Sequence, residues 1–568
     1  MMSNSDFDLI VVGGGLSGLA ATYYWCTHVD ASAKILIIEA SSRIGGSSVD
    51  HNFEVNGHSM TAPGGAQELT FPESFSPIVK STLTTIGIDL DDLLKNIDFS
   101  HYSSRGAKNH GFCFSADQWE QDGMAIWNFG EGIELSDAPL CSKAKSQLSK
   151  IFMGEVPWFE GLEECAKLQA LQARSCSEVL TDFGKCHPEV ERFFEYWTSP
   201  SSGLPFSLHP ALDAALVGYP PLGALAPDLP GPWPGLTQAG AQFFNSTSRA
   251  TYRFPDGNAT IAKAFLGWLR PDIFDGNTAV TRLGEKIDFD RLRDPATTRR
   301  FHVNETVKTI KTTDEEKVIV ETTMQDGRCA KYSSSAAIVA TWATACEAMI
   351  PALNKEQKKT ALAMGRLPIV TASVAVSNWQ PWKQLGVSSL SWPGHPLWQR
   401  AELGFPVNIG SYAPPNSPDE PNTITAIGAT TRLHEQSSVA AAMGRQFLNQ
   451  PLQVEKLRNE LIKLLDCALG PYGFDAQNDI HECQVELWPN GYPRYTTSLD
   501  NRDNSVASIK EKKELACGVG RIAIAGADIS DRPFLDGAIE AAYDAVSILK
   551  NRLSSADALR SNIDQQNN

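Results

Sequence analysis

Six residues near the start of the chain, Gly13-Gly14-Gly15-Leu16-Ser17-Gly18, carry the spacing GxGxxG through Gly13, Gly15 and Gly18. The chemistry of that spacing is phosphate binding. The first glycine allows a tight turn, the second lets backbone N–H groups approach a pyrophosphate, and the third lets a helix pack close on a strand. Leu16 and Ser17 open that helix, whose N-terminus carries partial positive charge toward the phosphates. Glu39 follows Gly18 by 21 residues and is placed to accept hydrogen bonds from a ribose diol. The elements that must position these groups are legible. Phe7–Val12 is a short apolar, β-branched run, a helical pattern extends from Leu16 to about His28, and Lys34–Glu39 is a second apolar strand. Strand, glycine turn, helix and strand form a βαβ unit. The series predicts a dinucleotide site; the bland alternative is a glycine-rich turn beside a surface carboxylate.

The following residues narrow the ligand. Glu39-Ala40-Ser41-Ser42-Arg43-Ile44-Gly45-Gly46 resembles the extended flavin fingerprint of the amine oxidase superfamily. The resemblance implies FAD, with Ala40 beside the ribose-binding Glu39 and with Arg43, Gly45 and Gly46 at the pyrophosphate and ribityl region. A forked guanidinium suits phosphate, and paired glycines let a bulky cofactor lie against backbone. Near the C-terminus, Arg521–Asp528 resembles the superfamily's late strand, which implies that Gly526 and Asp528 meet the ribityl-phosphate. Asp536, Gly537 and Ala538 then open the last helix, whose free N–H groups would face the flavin pyrimidine. Thr306-Val307-Lys308 is similar to the strand whose backbone contacts adenine.

Interior segments, among them Tyr252–Ala262, Val407–Tyr412, Pro418–Pro421, Leu469–Asp475 and Trp488–Tyr492, resemble the spermidine dehydrogenase-like branch. Three departures matter. The dinucleotide strand begins by about residue 7, without the extension of the haem-bearing bacterial member, so haem is not expected. No Cys stands near Asn490-Gly491, where some relatives attach FAD covalently, so noncovalent FAD is expected. Leu367–Val376 lacks the Lys that many relatives hold at flavin N5.

The implied reaction is oxidation of an amine C–N bond to an imine, with hydride passing to flavin N5. A desolvated, aromatic pocket keeps the amine neutral. Tyr492, Trp488, Tyr412 and Tyr495 are the candidate aromatic residues, Tyr492 foremost. A polyamine-like substrate would need carboxylates; Asp213, Asp228 and Glu402 are considered and read as surface charges. His395 and His481 are candidates only as generic acid/base groups and both read first as structural histidines, and no metal-ligand spacing stands out. Two other readings are a natural-product or amino-acid oxidase or desaturase on the same fold, and a non-catalytic flavin-binding partner protein.

Composition sets bounds. In 568 residues, 42% are hydrophobic and 20% charged, an ordinary globular balance. The net charge of −17 argues against nucleic acid as a partner. Lys510-Glu511-Lys512-Lys513-Glu514 reads as a solvated helix face. Eleven Cys without CxxC pairs, and an N-terminus lacking a basic leader, fit a reduced, cytoplasmic protein. No membrane span is expected. The expected fold class is α/β, an FAD-binding Rossmann-like unit with an interleaved α+β substrate domain. Residues 1–80, 251–345 and 505–552 would form the FAD-binding domain. Residues 81–250 would form the mainly helical part of the substrate domain, 346–504 its sheet and helices, and 553–568 a polar, frayed tail. Pro210–Gly240 reads as a packed, irregular loop. The expected partners are a small-molecule amine and an electron acceptor, either a carrier or O₂, with a homodimer as the assembly to test.

Overall fold

The computed structural model describes residues 6–246, 251–274, 283–410, 412–500 and 506–566. Its first sheet is assembled from distant parts of the chain. From one edge the order is Arg299–His302, Ile35–Ile38, Asp6–Val12 and Cys329–Val339, all parallel. Val318–Met324 and Glu305–Thr312 extend it antiparallel, and Ile522–Ile524 pairs in parallel with the end of Cys329–Val339. The side-chain period of two sorts these strands onto two cores. Leu9, Val11, Ile35 and Ile37 face the helices Leu16–His28, Ala259–Leu269 and Leu535–Gln566. Ile10, Val12, Leu36 and Ile38 face a second core that includes Ala361 and Leu515, from the helices Lys355–Ala363 and Ile509–Ala516. Burial on both faces explains why these strands read as unbroken apolar runs.

The second sheet has eight strands, in the order Ile480–Pro493, Arg366–Val376, Asn422–Ala429, Arg400–Leu403, Val387–Ser391, Asn109–Phe114, Gly123–Asn128 and Gly132–Glu134. On Arg366–Val376 the same alternation joins the two halves of the molecule. Val370, Ala372, Val374 and Val376 pack with Leu457, Leu461, Leu464 and Leu465 of the helix Gln453–Leu469. The other face turns to the N-terminal half. Thr371 Oγ1 donates to Gly64 O (2.7 Å) and Ser373 Oγ donates to Pro63 O (2.9 Å). A layer of short helices between Ser142 and Asn245 closes the remaining side around Phe112, Phe193, Phe194 and Phe206.

The α/β class and the Rossmann-like unit are as expected. Several local readings are corrected. Pro210–Gly240 is not wholly irregular: Ala211–Val217 is helical, because its prolines lie before and after those seven residues. The last helix runs on to Gln566, through the stretch read as a frayed tail. Lys512 is not solvated; it is 1% exposed and ion-paired with Asp531. Asp213 is buried and accepts from the Thr237 N–H and hydroxyl. Burial pushes its carboxyl up to about 6 against those bonds. Ser411, within one of the branch-like segments, lies outside the described residues. Among the described residues no helix is long and apolar enough to cross a membrane.

Candidate functional site

The glycine turn is built by close approach. A Cβ on Gly18 would lie 1.9 Å from Gly13 O, and one on Gly13, at φ +106°, would lie 2.4 Å from Ala340 O. Gly45 N donates to Gly14 O (2.8 Å), and Gly15 bridges Gly45, so the two glycine runs lie against each other. Glu39 sits under this turn. Its Oε2 accepts from Gly14 N and its Oε1 from Ser41 N, both at 2.8 Å. Ala40 beside it is exposed, and Leu16 is buried at the helix start. Val307 packs into the core beneath the sheet with Phe7 and Ile38.

The residues fit a dinucleotide. A Cβ on Gly15 would meet only Gly46, at 3.6 Å, so the turn is open on that side. The buried hydroxyls Ser17 Oγ and Ser48 Oγ have no hydrogen-bond partner, and Ser17 stands in the first turn of the helix that follows Gly15. A bound phosphate or ribityl oxygen would satisfy such groups.

From Gly45-Gly46 the chain leads through a hairpin, Asp50–Val55 with His58–Pro63, to Gly64-Gly65. Here the nucleotide half meets the aromatic strand. A Cβ on Gly65 would lie 2.8 Å from Trp488 Cζ2. Trp488 Nε1 donates to Thr371 Oγ1 (3.0 Å) and Gly64 O (3.3 Å). Thr371, on the strand Leu367–Val376 that lacks a lysine, is therefore engaged in tying the Gly64 loop to the sheet. Lys383, the nearest lysine after that strand, lies over Gly106 instead. The segment Phe254–Asn258 buttresses the same loop: Asn258 N donates to Ala66 O (3.0 Å), and Gly257, at φ +63°, packs under it.

Arg43 points at the aromatic strand. Its guanidinium forms a two-pronged pair with Glu486 (2.7 and 3.2 Å) and lies 5.9 Å from the Trp488 ring centroid. Burial alone would raise the Glu486 carboxyl, but hydrogen bonds from His51 and Arg43 and the Arg43 charge hold it down at about 2. A depressed carboxyl contributes stability that is complete above its unfolded value near 4.5 and is lost as pH falls toward 2. Glu486→Gln should therefore cost about 1–2 kcal/mol at pH 7, after allowance for partial exposure. That difference should vanish on acid titration toward pH 2. A deficit that persists unchanged to low pH would mean the carboxylate charge is not the cause.

Of the four aromatic candidates, Trp488 and Tyr492 share the strand Ile480–Pro493, paired with Ile369 and Leu367. Tyr492 OH donates to Pro200 O (3.0 Å), and its ring faces Gly203. Tyr219 OH donates to Ser201 Oγ (3.1 Å) in the same short segment. Burial raises both phenols, so both are neutral at physiological pH. Glu68 and Arg253 lie close enough to act electrostatically on Tyr492. Tyr495 is buried further along the chain, near Asp213 and Asp531. Tyr412 lines a separate groove with His58, Met60 and Pro414.

The sequence reading passed over Glu68 and Arg253. Arg253, 7% exposed, holds Glu68 (2.7 Å) and Glu402 (2.6 Å), and Arg400 holds the other oxygen of Glu402 (3.0 Å). Glu402 is thus an ion-pair member at 22% side-chain exposure rather than a free surface charge, while Asp228 is exposed as read. Glu68 keeps 43% of its side chain accessible. His395 is buried against Glu460, and His481 is exposed.

At the C-terminal end, Gly526 adopts φ +132°. Asp528 accepts from Ala343 N (3.0 Å) and pairs with Arg366, which also donates to Asn490 O and Gly491 O. Asp528 therefore braces the end of the aromatic strand. Asp536 is fully buried, held by Gln242 (2.6 Å) and Arg532 (3.2 Å), with Oδ1 unpartnered. Gly537 packs on Ser530 and Arg532, where a Cβ would lie 2.5 Å from Ser530 Oγ. Ala538 follows in the first turn, partly exposed. Phe534, just before this helix and edge-on to Phe71 at 5.9 Å, is a further aromatic that sequence reasoning missed.

Residues 11–78 match the model of an NAD(P)-binding Rossmann-like domain. Over 96% of the chain, the architecture superposes on wild-type putrescine oxidase bound to putrescine, with a TM-score of 0.52, 15% identity and 99% of that chain covered. Two variants of putrescine oxidase redesigned in cofactor binding, one singly and one triply substituted, give TM-scores of 0.54 at 16% and 15% identity, with the same coverage. The chain shares its fold with putrescine oxidase. No curated protein matches it by sequence. The shared architecture places the two sheets of this chain in one framework, Rossmann-like on one side and mixed on the other.

Proposed function

We propose that this protein is an FAD-dependent oxidoreductase that oxidises an amine C–N bond to an imine, with a polyamine-like substrate favoured. The observation that carries the reading is the convergence of the glycine cradle and the aromatic strand on Gly64-Gly65, where Trp488 stands over the loop leading from the dinucleotide turn. Likeness of fold to an oxidase bound to putrescine supports it. Gly13, Gly15, Ser17, Gly18 and Glu39 would hold the nucleotide end of FAD, and Gly45, Gly46 and the start of the helix Leu535–Gln566 its flavin end. When bound, FAD supplies the hydride acceptor.

The chain's own residues orient the amine and exclude water. Trp488 is locked by Thr371 and Gly64 and offers a fixed ring edge. Tyr492 is locked through Pro200 and offers a neutral ring. An enclosed aromatic wall disfavours ammonium and leaves the reacting amine its lone pair. Glu68, paired with Arg253 on one oxygen yet 43% accessible and close to Tyr492, would be the carboxylate for a distal ammonium. Arg253 is already bonded to two carboxylates, so an amino-acid carboxylate gains no free cation there, which favours an amine over an amino acid. Cys483, the cysteine on the aromatic strand, faces the helix-side core, consistent with noncovalent FAD.

One experiment tests the reading. Purified protein should be yellow and release all its flavin on acid denaturation. Under anaerobic conditions the flavin should bleach with a diamine or polyamine in stopped flow. With Thr371 rather than a lysine beside the Gly64 loop, reoxidation by air-saturated buffer should be slower than by an artificial acceptor dye. A flavin that stays unbleached across an amine panel overturns the proposed reaction, and flavin that remains attached after denaturation overturns the noncovalent assignment.

A further inference from the structure

Outside the glycine turn and the aromatic strand, the helical layer holds a group of metal-ligating side chains unused by the proposed chemistry. Cys141, His187 and Glu189 each offer one ligand atom, and these atoms lie within 4.8 Å of one another. Among the described residues it is the one such group. We propose that it is a binding site for a single divalent cation of the zinc class, bridging the starts of two helices.

The local sequence builds the site. Cys141 is the N-cap of Ser142–Phe152, and His187 is the N-cap of Pro188–Phe194, with Glu189 at the second helical position. Each ligand has one atom engaged in support and another left to bind. His187 Nδ1 accepts from Glu189 N (3.3 Å), which leaves Nε2 as the ligand atom, 3.7 Å from Cys141 Sγ. Glu189 Oε2 accepts from Cys141 N (2.8 Å), which leaves Oε1. His187 N donates to Gln147 Oε1 (2.8 Å) and Ala144 N donates to Cys141 Sγ (3.5 Å), contacts of the kind that orient metal ligands.

The spacing selects the metal. Zinc bonds of about 2.3 Å to sulfur and about 2.0–2.1 Å to imidazole, at the tetrahedral angle, put the two ligand atoms about 3.5–3.6 Å apart. Both ring nitrogens of His187 stand 3.7 Å from Cys141 Sγ, so the separation already matches and metal binding requires the imidazole to turn until the Nε2 lone pair meets the ion. Thiolate, imidazole and carboxylate together favour Zn²⁺ over the all-oxygen cations Ca²⁺ and Mg²⁺. Three protein ligands leave the fourth tetrahedral position to water, and Cys141 is exposed, so a hydrated ion can enter. Binding displaces the thiol proton, and the metal then links Ser142–Phe152 to Pro188–Phe194.

Cobalt(II) is the probe, added to the full-length protein as purified. One equivalent should give tetrahedral ligand-field bands at wavelengths beyond the flavin absorption, and Zn²⁺ should remove them by competition. Cys141→Ser and His187→Asn keep an N-cap acceptor, so both should fold. Each should weaken cobalt binding by at least about tenfold, the smallest loss seen even for outer-shell changes at metal sites. Zn²⁺ should raise the thermal midpoint of the parent but not of Cys141→Ser. Absence of tetrahedral bands at one equivalent, or bands that survive unchanged in Cys141→Ser, would overturn the proposal.

Discussion

Lys512→Met should remove about 3–5 kcal/mol of folding stability, the cost of stripping one partner from a buried ion pair. Lys512 Nζ lies 2.5 Å from Asp531 Oδ1, and each side chain is 1% exposed. Lys512 Nζ also donates to Arg494 O (3.3 Å), while the N–H and hydroxyl of Thr496 donate to Asp531 Oδ1 (2.8 and 3.0 Å). The substitution leaves a buried carboxylate with neutral donors only. Asp531 sits at φ +59°, a conformation Asn tolerates. The double variant Lys512→Met, Asp531→Asn should therefore recover most of the loss, since the amide oxygen still accepts from Thr496. Guanidinium unfolding midpoints of the two variants decide this. If the single variant loses less than about 1 kcal/mol, the pair behaves as a solvated one.

Gly18→Ala should weaken flavin binding by roughly 5–150-fold, whereas Gly14→Ala should leave it nearly unchanged. The two sites differ by one methyl group each, in different surroundings. At Gly18 the new Cβ would stand 1.9 Å from the backbone oxygen of Gly13, which cannot move without opening the turn. At Gly14 its nearest neighbour is the flexible end of Ile44, at 2.9 Å, and the backbone φ is unstrained. Overpacking of this kind costs about 1–3 kcal/mol, which on binding alone is roughly 5–150-fold in FAD affinity. Titration of the apoprotein with FAD measures both variants. Equal affinities would remove the glycine turn from the cofactor site.

The βαβ unit was legible in the sequence because each of its requirements is local. Gly13 and Gly18 have backbone reasons to be glycine, and Ile35–Ile38 is apolar at every position because both faces of its sheet are covered. What lay hidden depends on partners remote in sequence. Arg43 and Glu486 stand 443 residues apart, and nothing in either neighbourhood announces the pair. Lys512 lies in a charged run typical of an exposed helix; only the fold reveals that Asp531 turns back to bury it. Glu68 and Arg253 sit beside unremarkable loops until the short strand Leu69–Thr70 pairs with Thr251–Tyr252 and brings them together. Asp213 read as a surface charge despite its apolar surroundings, whereas it lies on a buried helix with Thr237 as its donor.

The first sheet draws one strand, Ile522–Ile524, from near the chain's end and sets it beside Cys329–Val339. On a ribosome this imposes a schedule. Synthesis at about 5–20 residues per second places roughly half a minute to a minute and a half between the emergence of Ile35–Ile38 and that of Ile522–Ile524. Throughout that interval the carboxyl end of Cys329–Val339, once made, has an open parallel edge, the kind of surface that recruits wrong partners. The helix opening at Leu535 comes later still. Nascent chains should therefore gain from any chaperone that keeps that edge covered until Ile522–Ile524 arrives.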